Sequence, residues 1–170
     1  DDFSDPASGW PVEDDTRYQL AYLNGEYRML IKEAYGGLFV WQGMSIPDCT
    51  VMVDARWEST TTYQGYYGLV FGLTNGEGGL EFLVRNDGAY WLGLIGGDGY
   101  VQWAPSPYIN TGKASNRLAV TQRGQDISVY ANGQLLKSWN IGLHTRGNDV
   151  GIIAGSGNST WEDARFDNFY

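Results

Sequence analysis

The chain has 170 residues, a length that one hydrophobic core can fill, so residues 1–170 are read as a single domain. Hydrophobic residues make up 42% of it and charged residues 18%, a balance that excludes an intrinsically disordered chain. A net charge of −9 without any cluster of Lys and Arg argues against nucleic acid and anionic membrane as partners.

Period-2 alternation of apolar residues recurs about every ten residues, and the 24 glycines lie between the alternating runs, where tight turns need them. About a dozen strands are predicted. Tyr27, Met29 and Ile31 share one face of the first, and Val51, Val53, Ala55 and Trp57 one face of the next. Strands over 66–73 and 80–85 follow, separated by Asn75-Gly76-Glu77-Gly78-Gly79. Strands over 90–95 and 100–103 come next, each after a glycine-rich turn. Leu118 and Val120 then share a face, as do Ile127, Val129 and Ala131, and Asn132-Gly133 is a strong hairpin signal into 134–139. Strands over 150–154 and 164–170 complete an all-β pattern that fits a two-sheet antiparallel sandwich.

Cys49 lies in an apolar alternating run and reads as a small buried hydrophobe; one cysteine allows no internal disulfide. No apolar stretch approaches the ~20 residues that cross a bilayer, so no membrane insertion is expected. No leader is visible at the start, so an exported chain would have lost its own. The lone His144 sits in a polar loop without a neighbouring Cys or His, which argues against zinc and against a catalytic triad. Asn158-Ser159-Thr160 matches a glycosylation acceptor, a pattern that chance often produces.

Several motifs appear in a characteristic order: Asp1-Asp2-Phe3-Ser4-Asp5 with Gly9-Trp10, Asn24-Gly25-Glu26-Tyr27, Asn116-Arg117-Leu118-Ala119-Val120, Val129-Tyr130-Ala131-Asn132-Gly133-Gln134, Val150-Gly151-Ile152 and Arg165-Phe166-Asp167-Asn168-Phe169. In these the chain resembles the concanavalin A-like lectin/glucanase superfamily, and within it the bacterial laminin-G-like jelly rolls that include 3-keto-disaccharide hydrolase-like domains. The resemblance implies a jelly roll in which the strand carrying Phe3 pairs with the strand carrying Phe166 and Phe169, bringing the termini together and hiding the sheet edges. It also points to a structural calcium held by Asp167 with Asp2 or Asp5, and less directly by Asp163 and Asn168. Turn and edge-strand residues that merely solvate are an equal alternative.

Related retaining glucanases carry Glu-x-Asp-x-x-Glu on one strand, and this chain has no such motif, so no catalytic residue is assigned. Asp54, Glu58 and Glu81 are strand carboxylates whose default reading is solvent-facing charge. The abundance of aromatics, with 7 Trp and 12 Tyr, instead suggests stacking on sugar rings. Trp91, Tyr130 and Arg56 alternate away from the core set, while Trp41, Trp103, Tyr108 and Trp139 fall near strand ends or loops. The expected ligand-binding set is therefore Arg56, Trp91, Trp103, Tyr108, Tyr130 and Trp139. The leading expectation is a secreted or surface-displayed module that binds a glycan or another extracellular surface without catalysis. The alternatives are a hydrolase of a sugar derivative and a self-associating structural or adhesive subunit.

Overall fold

A computed structural model describes residues 1–43, 48–59, 65–142 and 147–170, and within them every regular element is a strand. His144 lies outside the described residues. In chain order the strands are β1 (Glu13–Asp14), β2 (Tyr18–Leu23), β3 (Glu26–Ile31), β4 (Gly37–Gln42), β5 (Thr50–Trp57), β6 (Tyr66–Leu73) and β7 (Leu80–Arg85). They continue with β8 (Ala89–Leu94), β9 (Gly99–Pro105), β10 (Asn116–Arg123), β11 (Asp126–Ala131), β12 (Gln134–Asn140), β13 (Asp149–Gly155) and β14 (Glu162–Asp167). One sheet has eight strands in the order β1-β2-β3-β14-β5-β10-β11-β12; the other has six in the order β4-β13-β6-β7-β8-β9. The fold is the antiparallel sandwich that the alternation predicts.

The alternation sorts side chains as expected on the eight-stranded sheet. Tyr27, Met29, Ile31, Val51, Val53, Ala55, Trp57, Leu118, Val120, Ile127 and Val129 are all buried against the opposite sheet. The six-stranded sheet answers with Tyr67, Leu69, Phe71, Leu80, Phe82, Val84, Leu92, Val150 and Ile152. Burying side chains of this size is worth ~1.5–3 kcal/mol each, which makes the intersheet layer the main source of stability.

The six-stranded sheet is apolar on its outer face as well. Val70, Leu83 and Ile153 point away from the intersheet core and are nonetheless buried, forming a second cluster with Phe39, Tyr66, Trp91, Ile95 and Trp103. A sheet apolar on both sides loses its period-2 signal. This explains why β4, Gly37-Leu38-Phe39-Val40-Trp41-Gln42, is not evident from the sequence. The β2 strand, by contrast, does alternate: Tyr18, Leu20 and Tyr22 pack on the core, and Asn24-Gly25 makes its turn into β3.

The termini meet, but not as paired strands. β14 lies between β3 and β5, and the first twelve residues join no ladder. Phe3 stands at φ 52 and Asn168 at φ 50, conformations that end an extended strand. Asp1 and Phe169 exchange backbone hydrogen bonds across this junction, and Phe3 turns inward against Trp10 and Tyr27. The expected pairing of 1–3 with 166–168 is thus replaced by an aromatic plug at the end of β14. The sheet edges are β1 and β12 on one sheet and β4 and β9 on the other.

Candidate functional site

The outer face of the six-stranded sheet gathers the aromatic residues. Strand register sets Leu83 beside Gly68 and Trp91, and Ile153 between Gly68 and Phe39. In the next row Gly151 stands between Val70 and Trp41, and Glu81 between Val70 and Gly93. The small residues let the rings lie flat on the sheet. A Cβ on Gly99 would come within 2.6 Å of the Trp91 ring, and one on Gly155 within 2.2 Å of the Tyr66 ring.

Trp103 reaches this face through an irregularity in the ladder. Leu92 pairs with Val101 and Tyr90 with Ala104, so two residues, Gln102 and Trp103, stand opposite the single Trp91. Such a bulge re-aims the extra side chain. Trp103, at φ 24, turns its ring to within 6.0 Å of Trp91 and 6.3 Å of Tyr66, centroid to centroid. The Arg85 guanidinium covers the Trp103 ring at 4.5 Å and is held by Asp87 through two nitrogens. At the other end of the face, Phe39 and the exposed Trp41 lie 5.8 Å apart.

Glu81 is a carboxylate set among these rings. Burial pushes it up from an ordinary 4.5 to about 7, and the facing Trp91 indole pulls weakly the other way. That indole Nε1 is buried and falls short of a formed hydrogen bond to any described residue. Tyr66 is likewise raised, by burial first and then by the charge of Glu81. The face therefore offers aromatic planes, one acid that is half-protonated near neutral pH and an arginine. These groups can stack on sugar rings and hydrogen-bond their hydroxyls.

The outward positions of β7 run Glu81, Leu83, Arg85, so the strand supplies no second carboxylate at the spacing that glycoside hydrolysis needs. Asp54 and Glu58 lie on the opposite sheet. The Arg117 guanidinium, hydrogen-bonded at 2.7 and 2.6 Å, holds Asp54 below the usual carboxylate range with help from Asn168. Glu58 is lowered in the same way by Arg56, with a smaller contribution from Lys113.

The six residues expected to bind ligand are not brought together as a set. Trp91 and Trp103 share the face just described. Arg56 lies on the outer face of the eight-stranded sheet, locked to Glu26 by both terminal nitrogens and to Glu58 at 2.8 Å. Tyr130 is half-buried on that sheet. Tyr108 is exposed in the loop before β10, where its carbonyl accepts a hydrogen bond from Asn132 Nδ2 at 2.8 Å. Trp139 sits on the edge strand β12, 5.7 Å from Tyr100 and beneath the Lys137 ammonium. Sequence reasoning missed Tyr66 and Phe39, and took Glu81 by default as solvated. The signal for Glu81 was its position between two apolar runs, 66–73 and 89–95, that carry almost no charge.

The three residues proposed for calcium are each engaged in their own turns. Asp2 accepts from Ser4 N and Oγ, Asp5 from Ala7 N, and Asp167 from Asn168 N. Among the described residues no three carboxylate, imidazole or thiol groups converge on a metal-sized space. Each of the turn hydrogen bonds uses only the Oδ1 atom of its carboxylate.

No protein-family model matches the chain, and no curated protein does. Solved structures do. A Bacillus subtilis protein of unknown function with a galectin-like fold superposes with a TM-score of 0.70 at 12% identity, over 94% of this chain and 87% of that one. Carbohydrate-binding module CBM66 from Bacillus subtilis gives 0.66 at 14% identity, over 94% and 98%. The Bacillus licheniformis β-glucanase gives 0.68 at 11% identity, over 99% and 94%. Identities this low establish architecture and nothing finer. The chain shares with these structures a two-sheet antiparallel jelly-roll fold.

Proposed function

We propose that this domain is a non-catalytic carbohydrate-binding module working outside the cell, and that its ligand lies across the outer face of the six-stranded sheet. The observation that carries this reading is the convergence of Trp91, Trp103 and Tyr66 on one face around a single carboxylate, Glu81. Rings held flat on glycines present planes to a sugar at little entropic cost, and one carboxyl can orient hydroxyls without performing hydrolysis. Likeness in fold to a carbohydrate-binding module and to a β-glucanase supports the ligand class. An open sheet face buries only part of a soluble chain, so affinity for a single oligosaccharide is expected to be weak.

The test is a glycan array followed by titration of the best oligosaccharide into wild type, Trp91→Ala and Trp103→Ala. Each folded variant should lose at least tenfold in affinity. Binding that survives both substitutions would place the ligand elsewhere.

The raised pKa of Glu81 favours a second reading, a hydrolase of a sugar derivative akin to the 3-keto-disaccharide hydrolase-like domains, with Glu81 as its acid. Turnover of a modified disaccharide that disappears in Glu81→Gln would establish that reading over the first.

A further inference from the structure

The outer face of the eight-stranded sheet carries a built depression that the aromatic face does not explain. It has a volume of about 440 Å³, and Leu30 and Trp161 supply its apolar lining. Arg28, Asp163, Glu58 and Thr160 supply its polar rim. That volume lies in the ~300–1,000 Å³ range of small-molecule sites.

Trp161 is 62% exposed and stands at φ 62, a left-handed conformation that a bulky residue seldom adopts. The turn is held by Ser59, whose hydroxyl donates to the Trp161 carbonyl at 3.2 Å and accepts from Asp163 N at 2.7 Å. The backbone thus holds an indole out over the sheet, beside an outward-facing leucine that is only 6% exposed.

The rim is rigid. Arg28, Arg165 and Arg56 are neighbours in register across β3, β14 and β5. Their charges are interleaved with carboxylates: Asp163 bonds Arg28 at 2.9 Å and Arg165 at 2.6 Å, while Arg56 engages Glu26 and Glu58. These pairs are partly buried, so the lattice positions its members more firmly than surface ion pairs would. Arg28 uses Nε on Asp163 and one terminal nitrogen on Gln19, which leaves its other terminal nitrogen as a donor. Both charge signs face the depression, a poor match for an anion or a cation. A neutral polyhydroxylated ring fits: its apolar face meets Trp161 and Leu30, and its hydroxyls meet Arg28, Asp163 and Glu58.

We infer that this depression is a second saccharide subsite, for a single neutral glycosyl residue, and that the domain is bivalent through sites on opposite faces of the sandwich. The inference shares only its ligand class with the proposed function. The experiment is an NMR titration of ¹⁵N-labelled protein with the methyl glycosides of glucose, galactose, mannose and N-acetylglucosamine, following the indole N–H signals of Trp161 and Trp91. At least one glycoside should shift Trp161 saturably. Trp161→Ala, a change at an exposed side chain, should abolish the accompanying shifts at Ser59 and Thr160 and leave Trp91 responsive. Trp91 shifting while Trp161 stays silent would overturn the second subsite and leave the aromatic face standing. Trp161 shifting while Trp91 stays silent would uphold this site and count against the other. Silence at Trp161 with all four glycosides, or Ser59 and Thr160 shifts unchanged in Trp161→Ala, overturns the inference.

Discussion

Glu81→Gln should make the domain more stable at pH 8 than the native chain, and the structure sets both the sign and the size of the effect. Glu81 titrates at about 7 in the folded state against an ordinary 4.5, because burial among Trp91, Tyr66 and Leu83 disfavours its charged form. Between those two values the folded protein binds a proton that the unfolded chain has released. Stability therefore falls as pH rises from about 4 to about 7.5, and the penalty is complete above that. At ~1.4 kcal/mol for each tenfold change in acidity the full effect is ~3 kcal/mol, and partial solvent access reduces it to ~2 kcal/mol. Glutamine keeps the shape and carries no charge. Guanidinium unfolding followed by tryptophan fluorescence, at pH 5 and pH 8, should give a lead for the variant of about 0.5 kcal/mol at pH 5 and about 2 kcal/mol at pH 8. Asp14, Asp15, Asp54 and Glu58 are all lowered by hydrogen bonds and cations, so their stability is lost only as pH falls below ~4.5, outside the assay range. A flat wild-type profile between pH 5 and 8, or the same slope in Glu81→Gln, would refute the burial argument.

Three further outcomes follow from other parts of the molecule. Asn116 is fully buried, its Oδ1 accepting from Asn110 N and Asn132 Nδ2 and its Nδ2 donating to Tyr67 and the Asn110 carbonyl; Asn116→Ala should cost about 3 kcal/mol in an unfolding titration. Gly99→Ala should fold yet weaken glycan binding several-fold in the array titration, because its methyl group would displace the Trp91 ring from 2.6 Å. Thermal melts with calcium and with chelator should coincide, since Asp2, Asp5 and Asp167 already serve local turns; a rise of several degrees with calcium would show that a site forms there after all.

Where one face of a sheet is wet, the sequence by itself determined the fold. In β3, β5 and β11 every second residue is apolar and buried, and Asn132-Gly133 turns the chain between β11 and β12 as its residue types require. Trp91 could be assigned to the outward side by the same alternation. The remaining decisions belonged to tertiary structure. The β4 strand carries no alternation because its outward residues Phe39 and Trp41 are as apolar as its inward Leu38 and Val40, and Trp103 gains its orientation from a one-residue slip between β8 and β9 that no local pattern encodes. Arg56 and Trp91 both alternate outward, yet one lies in a charge lattice and the other in an aromatic face, because they belong to opposite sheets. Glu81 lies between two uncharged runs in the sequence, but its burial came only with the pairing of β6 and β8 on either side of β7. Side-chain period records whether a residue faces in or out; which outward residues become neighbours depends on long-range strand pairing, and that pairing formed the site.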